Sequence, residues 1–236
     1  MELLFRDDPY LKTCEATVTG GGLEDLRLDR TVFYPTGGGQ PGDSGSLTLE
    51  DGTRLRVVEA VKGATHDDVV HRLEDGAALP APGARVTAEI DWQRRHRHMR
   101  MHTCLHLLCA VVTGDVTGGQ IGEAKGRLDF NLPDTQLDKE QITAELNRLV
   151  AADHPVVPRW ISEDELAEQP DLVRTMSVKP PMGGGRVRLL DIAGVDLQPC
   201  GGTHVRQTGE IGRVRVGKIE NKGRQNRRIN ILFDDA

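Results

Sequence analysis

The chain has 236 residues, with 30 Lys and Arg against 36 Asp and Glu and a net charge of −6. That length accommodates one or two compact domains, and the acidic balance argues against nonspecific nucleic-acid binding while leaving room for a local basic patch. Aromatic residues are only 3% of the total, so the core must be built from Val, Leu, Ile and Ala, and the longest apolar stretch, Leu105 to Val112, is broken by His106 and falls far short of the ~20 residues that cross a bilayer.

Residues Met1 to Lys12 scatter Glu2, Arg6, Asp7 and Asp8 through a short apolar run, which is not the layout of a secretory signal. A cytoplasmic protein is expected, and there the four cysteines (Cys14, Cys104, Cys109 and Cys200) read as thiols, with one near a His a candidate ligand or nucleophile. Up to about residue 90 the pattern is β-rich. Strands are expected at Cys14 to Thr19, Arg30 to Tyr34, Ser46 to Leu49, Arg54 to Val61, Val69 to Leu73 and Arg85 to Ile90. Between them, Gly20 to Gly22, Gly37 to Gly39, Pro41-Gly42 and Pro80 to Gly83 supply turn chemistry at the frequency of a small barrel or sandwich.

At Asp91 the period changes. Trp92, Met99, His102, Leu105, His106, Leu108, Cys109 and Val112 recur mostly three or four apart, predicting an amphipathic helix over Asp91 to Val112. A hairpin follows over Gly118 to Leu132, with a strand at Arg127 to Asn131, then a second helix from about Thr135 to Asp153. Further strands are expected at Val156 to Ser162, Val187 to Ile192, Gly212 to Ile219 and Arg228 to Phe233. The order predicts an α+β fold of two domains, residues 1–90 and 91–236, the second with helices on a mostly antiparallel sheet.

The sharpest chemical signal is His102-Thr-Cys-Leu-His106, two imidazoles at i and i+4 on one helix face. About a hundred residues on, Cys200-Gly-Gly-Thr-His204 brackets a glycine turn with a thiol and an imidazole. Either half alone has a plainer reading as buried structure. Together the four supply a tetrahedral set of the donor mix that suits zinc. No Glu stands inside the His pair, so the helix lacks the carboxylate base of an HExxH peptidase. Cys104 and Cys109 are expected to pack in the core, His96 and His98 to be solvated or to face phosphate, and His66, His71 and His154 to be structural.

These motifs, with Phe33-Tyr-Pro-Thr-Gly-Gly-Gly-Gln40-Pro-Gly-Asp43-Ser-Gly45, Trp92-x-x-Arg95-x-x-His98-Met99-Arg100 and Lys222-Gly-Arg224-x-Asn226-Arg227-Arg228, resemble the alanyl-tRNA editing proteins of the AlaX family. These are free-standing relatives of the editing domain of alanyl-tRNA synthetase, and the glycine-rich first domain resembles the medium-length form. The resemblance implies a small β-barrel followed by the α+β editing domain shared by threonyl- and alanyl-tRNA synthetases. It implies a zinc-dependent hydrolase, one Zn2+ per chain on His102, His106, Cys200 and His204, acting on the ester of Ser-tRNA(Ala), with Gly-tRNA(Ala) as a second candidate. Gln120 matches a glutamine lining the synthetase editing pocket. Gln120 and Thr117, and more weakly Thr203, are the candidates for contacting the serine hydroxyl, while Gln40 and Asp43 are the polar candidates of the glycine-rich segment, whose plainer reading is a barrel corner.

Two basic clusters flank the metal motifs: Arg94, Arg95, Arg97 and Arg100, and Arg213, Arg215, Lys218, Lys222, Arg224, Arg227 and Arg228 against Glu220. Of these, Arg95, Arg100, Arg224, Arg227 and Arg228 are the candidates for tRNA backbone contact. The segment Gly37 to Gly45 lacks the Lys-Ser/Thr ending of a phosphate-binding P-loop, so no use of ATP is expected, nor any membrane association. A monomer is the expected state. Two other functions compete: editing of a different mischarged tRNA of the threonyl type, and a tRNA-binding module whose zinc is purely structural.

Overall fold

The computed structural model describes residues 1–22, 25–132, 136–173 and 185–234. The chain is α+β and divides into two compact units, Met1–His96 and Arg97–Ala236. In the first unit, β1 (Glu2–Leu3) leads through a 3-10 turn into β2 (Thr13–Gly21), β3 (Asp25–Leu28), β4 (Arg30–Thr31), β5 (Gly45–Leu49), β6 (Arg54–Lys62), β7 (Val69–Leu73) and β8 (Arg85–Ile90). Six of these close a barrel in the order β2-β3-β7-β6-β5-β8. Alternation sends Leu55 and Val57 of β6 and Val86, Ala88 and Ile90 of β8 inward, giving the aliphatic core that the shortage of aromatics requires.

The expected strand Arg30 to Tyr34 is only partly a strand: Arg30–Thr31 pairs in parallel with β1, and Val32, Phe33 and Tyr34 are buried outside any ladder. Their backbone is satisfied by side chains instead, Phe33 N donating to Thr31 Oγ1 at 3.0 Å and Tyr34 N to Asp43 Oδ2 at 2.6 Å. The glycine-rich segment that supplies Asp43 turns through Gly38 and Gly39, both with φ near the left-handed region. At Gly42 a Cβ would lie 1.9 Å from the Ala60 carbonyl oxygen, so no side chain fits.

Arg95 carries a buried, charge-assisted bond in this unit. It is fully buried, pairs with the equally buried Asp43 carboxylate, with Nε to Oδ1 at 2.9 Å, and donates further to the Pro9 and Val32 carbonyls. A buried pair of this kind is costly to break from one side only. Asp43→Ala should therefore lower unfolding stability by about 3–5 kcal/mol, whereas Asp43→Leu combined with Arg95→Met should recover much of it. Equal losses in single and double variants, measured by urea unfolding, would contradict the pairing.

His71 is buried in the barrel between Thr31 Oγ1 at 2.8 Å and the Leu26 carbonyl at 3.1 Å, and burial lowers its pKa to about 4. The folded pKa lies below the ordinary 6.5, so the contribution of neutral His71 is complete above pH 6.5 and is lost as pH falls toward 4. Over that window the wild type should lose up to about 3 kcal/mol that His71→Gln does not lose. Circular dichroism against pH reads the difference, and superimposable acid transitions would refute it.

The second unit holds most of α1 (Trp92–Val111), which is capped by Asp91 Oδ1 accepting from Arg94 N at 3.1 Å. From His98 to Cys109 every α1 residue except Arg100 is buried. The expected amphipathic helix is thus enclosed on all sides here, its polar residues being internal binding groups. After it come β9 (Asp115–Gln120), β10 (Lys125–Asn131), α2 (Lys139–Ala151), β11 (Val156–Ser162), α3 (Glu163–Ala167), β12 (Arg186–Ile192), β13 (Asp196–Pro199), β14 (Val214–Asn221) and β15 (Asn226–Phe233). They form two antiparallel sheets, β14-β15-β10-β9 and β11-β12-β13. The expected start of the second helix at Thr135 lies outside the described residues; α2 begins at Lys139 with Asp138 as its cap, Oδ1 accepting from Gln141 N. Among the described residues no helix is long and apolar enough to cross a membrane.

Candidate metal centre

The helical repeat of α1 puts His102 and His106 one turn apart with ring centroids 5.4 Å from each other. Opposite them, β13 runs out into the Cys200 to His204 loop, which Arg188 of β12 pins by donating from Nη1 to the carbonyls of Cys200 at 2.9 Å and Gly202 at 3.0 Å. Cys200 Sγ lies 3.2 Å from His204 Nε2 and 3.5 Å from His102 Nε2, and the donor atoms of all four residues fall within 4.8 Å of one another. A tetrahedral ion with ordinary Zn–N and Zn–S bond lengths sets an N···S edge of about 3.6 Å, close to both spacings. The three imidazoles are buried, and one thiol with three ring nitrogens converging on a point is the donor chemistry of a metal site.

A second layer fixes the rings. Asp196 Oδ2 accepts from His106 Nδ1 at 2.9 Å, which leaves Nε2 as the ligating atom. Gln198 Nε2 donates to the same carboxylate oxygen at 2.7 Å. On the other side, Thr103 Oγ1 donates to the Met99 carbonyl at 2.9 Å and so offers a lone pair to His204 Nδ1 at 3.2 Å. Burial pushes the Cys200 thiol up, but the charge and hydrogen bond of His102 and the charge of His204 outweigh it and hold Cys200 well below the ordinary thiol range. Burial together with the His102 charge drives His204 down. Burial also opposes charge on His106, yet Asp196 and Cys200 raise it to about 10. A metal ion entering this set displaces a proton, so its affinity falls as pH falls.

The structure brings His102, His106, Cys200 and His204 together and distributes the other sequence candidates around the fold. Gln120 ends β9 with an exposed side chain whose Oε1 accepts from Arg127 Nε at 3.3 Å. Thr117 donates to the Asp129 carbonyl at 3.1 Å and accepts from Asn226 Nδ2 at 3.3 Å. Thr203 is fully buried within the ligand loop.

Several residues read as surface contacts are internal. Arg95 and Asp43 are buried against each other, and Gln40 is fully buried in a corner where its backbone pairs with Gly37. All three make their bonds inside the barrel unit. His98, expected to be solvated, is 1% exposed because it faces inward along α1. Arg100 is committed to the Ile211 carbonyl, at 2.9 and 2.7 Å, and to the face of Phe233. Arg228 is half-buried on Asp129 at 2.8 Å, Arg227 is half-buried and donates to the Gly223 carbonyl, and Arg224 is exposed. Cys104 and Cys109 are core thiols, and burial pushes Cys104 up to about 12.

Sequence reasoning missed Asp196, Gln198, Thr103 and Arg188. For the first two a signal existed: Asp196, Gln198 and Cys200 alternate, the spacing that puts strand residues on one face.

With this α+β architecture, an N-terminal barrel and a buried three-imidazole, one-thiol centre, the chain matches families of aminoacyl-tRNA synthetase domains. Residues 187–230 match the family described as "Threonyl and Alanyl tRNA synthetase second additional domain", and residues 9–94 match "tRNA synthetases class II (A)". The chain is similar to the alanyl-tRNA editing protein AlaX-M of Methanosarcina mazei, 38% identical over 100% of this chain and 98% of that protein. It is similar also to the AlaX-M protein of Saccharolobus solfataricus, 33% identical over 97% of both chains. A third relative, the alanine–tRNA ligase of Methanothermobacter thermautotrophicus, is 38% identical over 93% of this chain, which corresponds to 25% of the ligase. The chain belongs to the AlaX-M family of alanyl-tRNA editing proteins.

If Asp196 orients His106, Asp196→Ala should weaken metal binding by about 10- to 100-fold. Competition with a chromophoric chelator measures this. An unchanged metal affinity would remove Asp196 from the site.

Proposed function

We propose that this chain is an aminoacyl-tRNA hydrolase that removes the wrong amino acid from tRNA(Ala), serine foremost, with one zinc ion on His102, His106, Cys200 and His204. The observation that carries this reading is the buried convergence of those four donors in a member of an editing family. The chemical need is clear, because a pocket sized for alanine rejects an analogue that merely adds a hydroxyl by only about 10²-fold, so a second site must hydrolyse the error.

Zinc, when bound, would supply a fixed positive charge that orients a polar group of the substrate or lowers the pKa of water. The protein groups around it have separable tasks. Asp196 and Thr103 hold two of the rings in the ligating tautomer. Arg188 holds the loop that carries Cys200 and His204. The exposed amide of Gln120 offers its Nε2 donor to a serine hydroxyl, its Oε1 already accepting from Arg127 Nε, whereas the Thr117 hydroxyl is engaged and Thr203 is buried in the loop. Arg224, exposed beyond β14, is free to meet a phosphate of the acceptor stem without any involvement in the core.

One observation favours a second reading, a tRNA-binding module with structural zinc: four protein ligands fill a tetrahedral shell, which is the form of a closed site. Purified protein of known zinc content, incubated with Ser-tRNA(Ala), Gly-tRNA(Ala) and Ala-tRNA(Ala), separates the two. Editing predicts rapid loss of serine with alanine spared, a fall of about 10²-fold or more for His102→Ala, and retained secondary structure by circular dichroism. If serine survives on the tRNA while metal removal unfolds the second unit, the structural reading replaces it. Turnover of a mischarged threonine-type tRNA instead would redirect the substrate assignment.

A further inference from the structure

One face of the β11-β12-β13 sheet supports the metal centre and runs on to an exposed aromatic ring that the centre does not use. Asp196 and Gln198 of β13 reach His106, and strand alternation puts Cys200, two residues further on, on the same side. Register carries this face across the sheet: Gln198 lies opposite Leu190 of β12, and Leu190 opposite Pro158 of β11. One row along, Trp160 of β11 lies opposite Arg188 of β12, whose carbonyl accepts from Cys200 N at 3.0 Å. Trp160, Arg188 and Cys200 therefore stand in a single row on one face. Two strand spacings, about 10 Å, separate the backbones of Trp160 and Cys200.

Arg188 and Leu190 are buried in the middle of this face, but at its β11 border Pro158 and Trp160 are exposed. Trp160 is 39% exposed and is, among the described residues, the one exposed aromatic. An indole left in water forgoes the free energy of burial and offers a flat π-face to a partner. The Arg186 guanidinium lies over this ring, 5.6 Å from its centroid, and puts a positive charge beside it. A nucleobase, flat and polarizable, stacks on an aromatic side chain whatever its identity and takes a neighbouring guanidinium as a second partner. In an aminoacylated nucleoside the ester at ribose O3′ and the base at C1′ are carried by one five-membered ring. The base thus lies one sugar-width from the bond to be cut, an offset that the row from Trp160 to Cys200 accommodates.

We propose that Trp160 is the stacking platform for the unpaired 3′-terminal base of the aminoacylated RNA, with Arg186 beside it, and that it sets how far that base stands from the metal centre. The assignment of the base to an aminoacyl-tRNA rests on the editing reading; the stacking itself does not. The probe is 3′-deoxy-3′-(L-serylamino)adenosine, whose amide resists hydrolysis, compared with the same serylamino sugar carrying hydrogen in place of the base. The adenosine compound should quench tryptophan fluorescence of the wild type, and Trp160→Phe should abolish the quench while titration calorimetry finds affinity kept within about 3-fold, since a phenyl ring still stacks. Trp160→Ala should bind the adenosine compound about 10-fold more weakly and the base-less sugar as the wild type does. Equal wild-type affinity for the two compounds overturns the platform, as does a base-dependent affinity that survives Trp160→Ala. Deacylation of Ser-tRNA(Ala) by the wild type is measured beside these. Hydrolysis with base binding indifferent to Trp160 defeats this proposal alone, and Trp160-dependent base binding without hydrolysis defeats the editing reading alone.

Discussion

Three imidazoles and a thiol brought within 4.8 Å of one another, in surroundings almost closed to water, repel or protonate unless something positive sits between them. The second unit is organised around meeting that constraint. Two donors come from a buried helix and two from a loop about a hundred residues later, so the centre ties α1 to the end of the β11-β12-β13 sheet. The polar residues that sequence periodicity would put on a wet helix face are inside because each finds a bond there: His106 on Asp196, Thr103 on Met99 and His204.

The barrel solves a different problem with a similar device. Its glycine-rich corner has irregular backbone that no ladder satisfies, and Asp43 and Arg95 satisfy it from within. Asp43 bonds Tyr34 through its side chain and its backbone, and Arg95 reaches the carbonyls of Pro9 and Val32. A charged pair thus does for the first unit what the donor cluster does for the second, fixing segments that have no regular hydrogen-bonding partners of their own.

Much of this was legible in the residues. The change of period at Asp91 marks α1, and the i, i+4 imidazoles with the later Cys/His pair mark the donor set, because helical spacing and ligand chemistry are local properties. Burial of charge is not local, and there the reading failed: Arg95 sits in a run of basic residues and looks solvated. The helix phase held the clue, since Arg95, Met99, His102 and His106 follow at steps of four, three and four and so share one stripe. β3 and β13 escaped notice because four-residue strands such as Asp25–Leu28 and Asp196–Pro199 offer too few alternations to stand out. Phe33 and Tyr34 look like strand residues and pack like core, but the ladder passes them by because side chains take their backbone groups.

The edges of the four-stranded sheet are treated unequally, and this bears on self-association. At β14, Asn147 of α2 both donates to the Val214 carbonyl and accepts from its N–H, and Thr143 Oγ1 accepts from Val216 N. Side chains of a helix thereby occupy backbone groups that another chain's strand would otherwise use, which closes that border to intermolecular β-pairing. β9 forms the opposite border, and its Gly118 and Gly119 give a strand with little side-chain bulk and a weakly specified register. Strand-to-strand aggregation or domain exchange through this sheet is consequently channelled to β9, the same strand that presents Gln120.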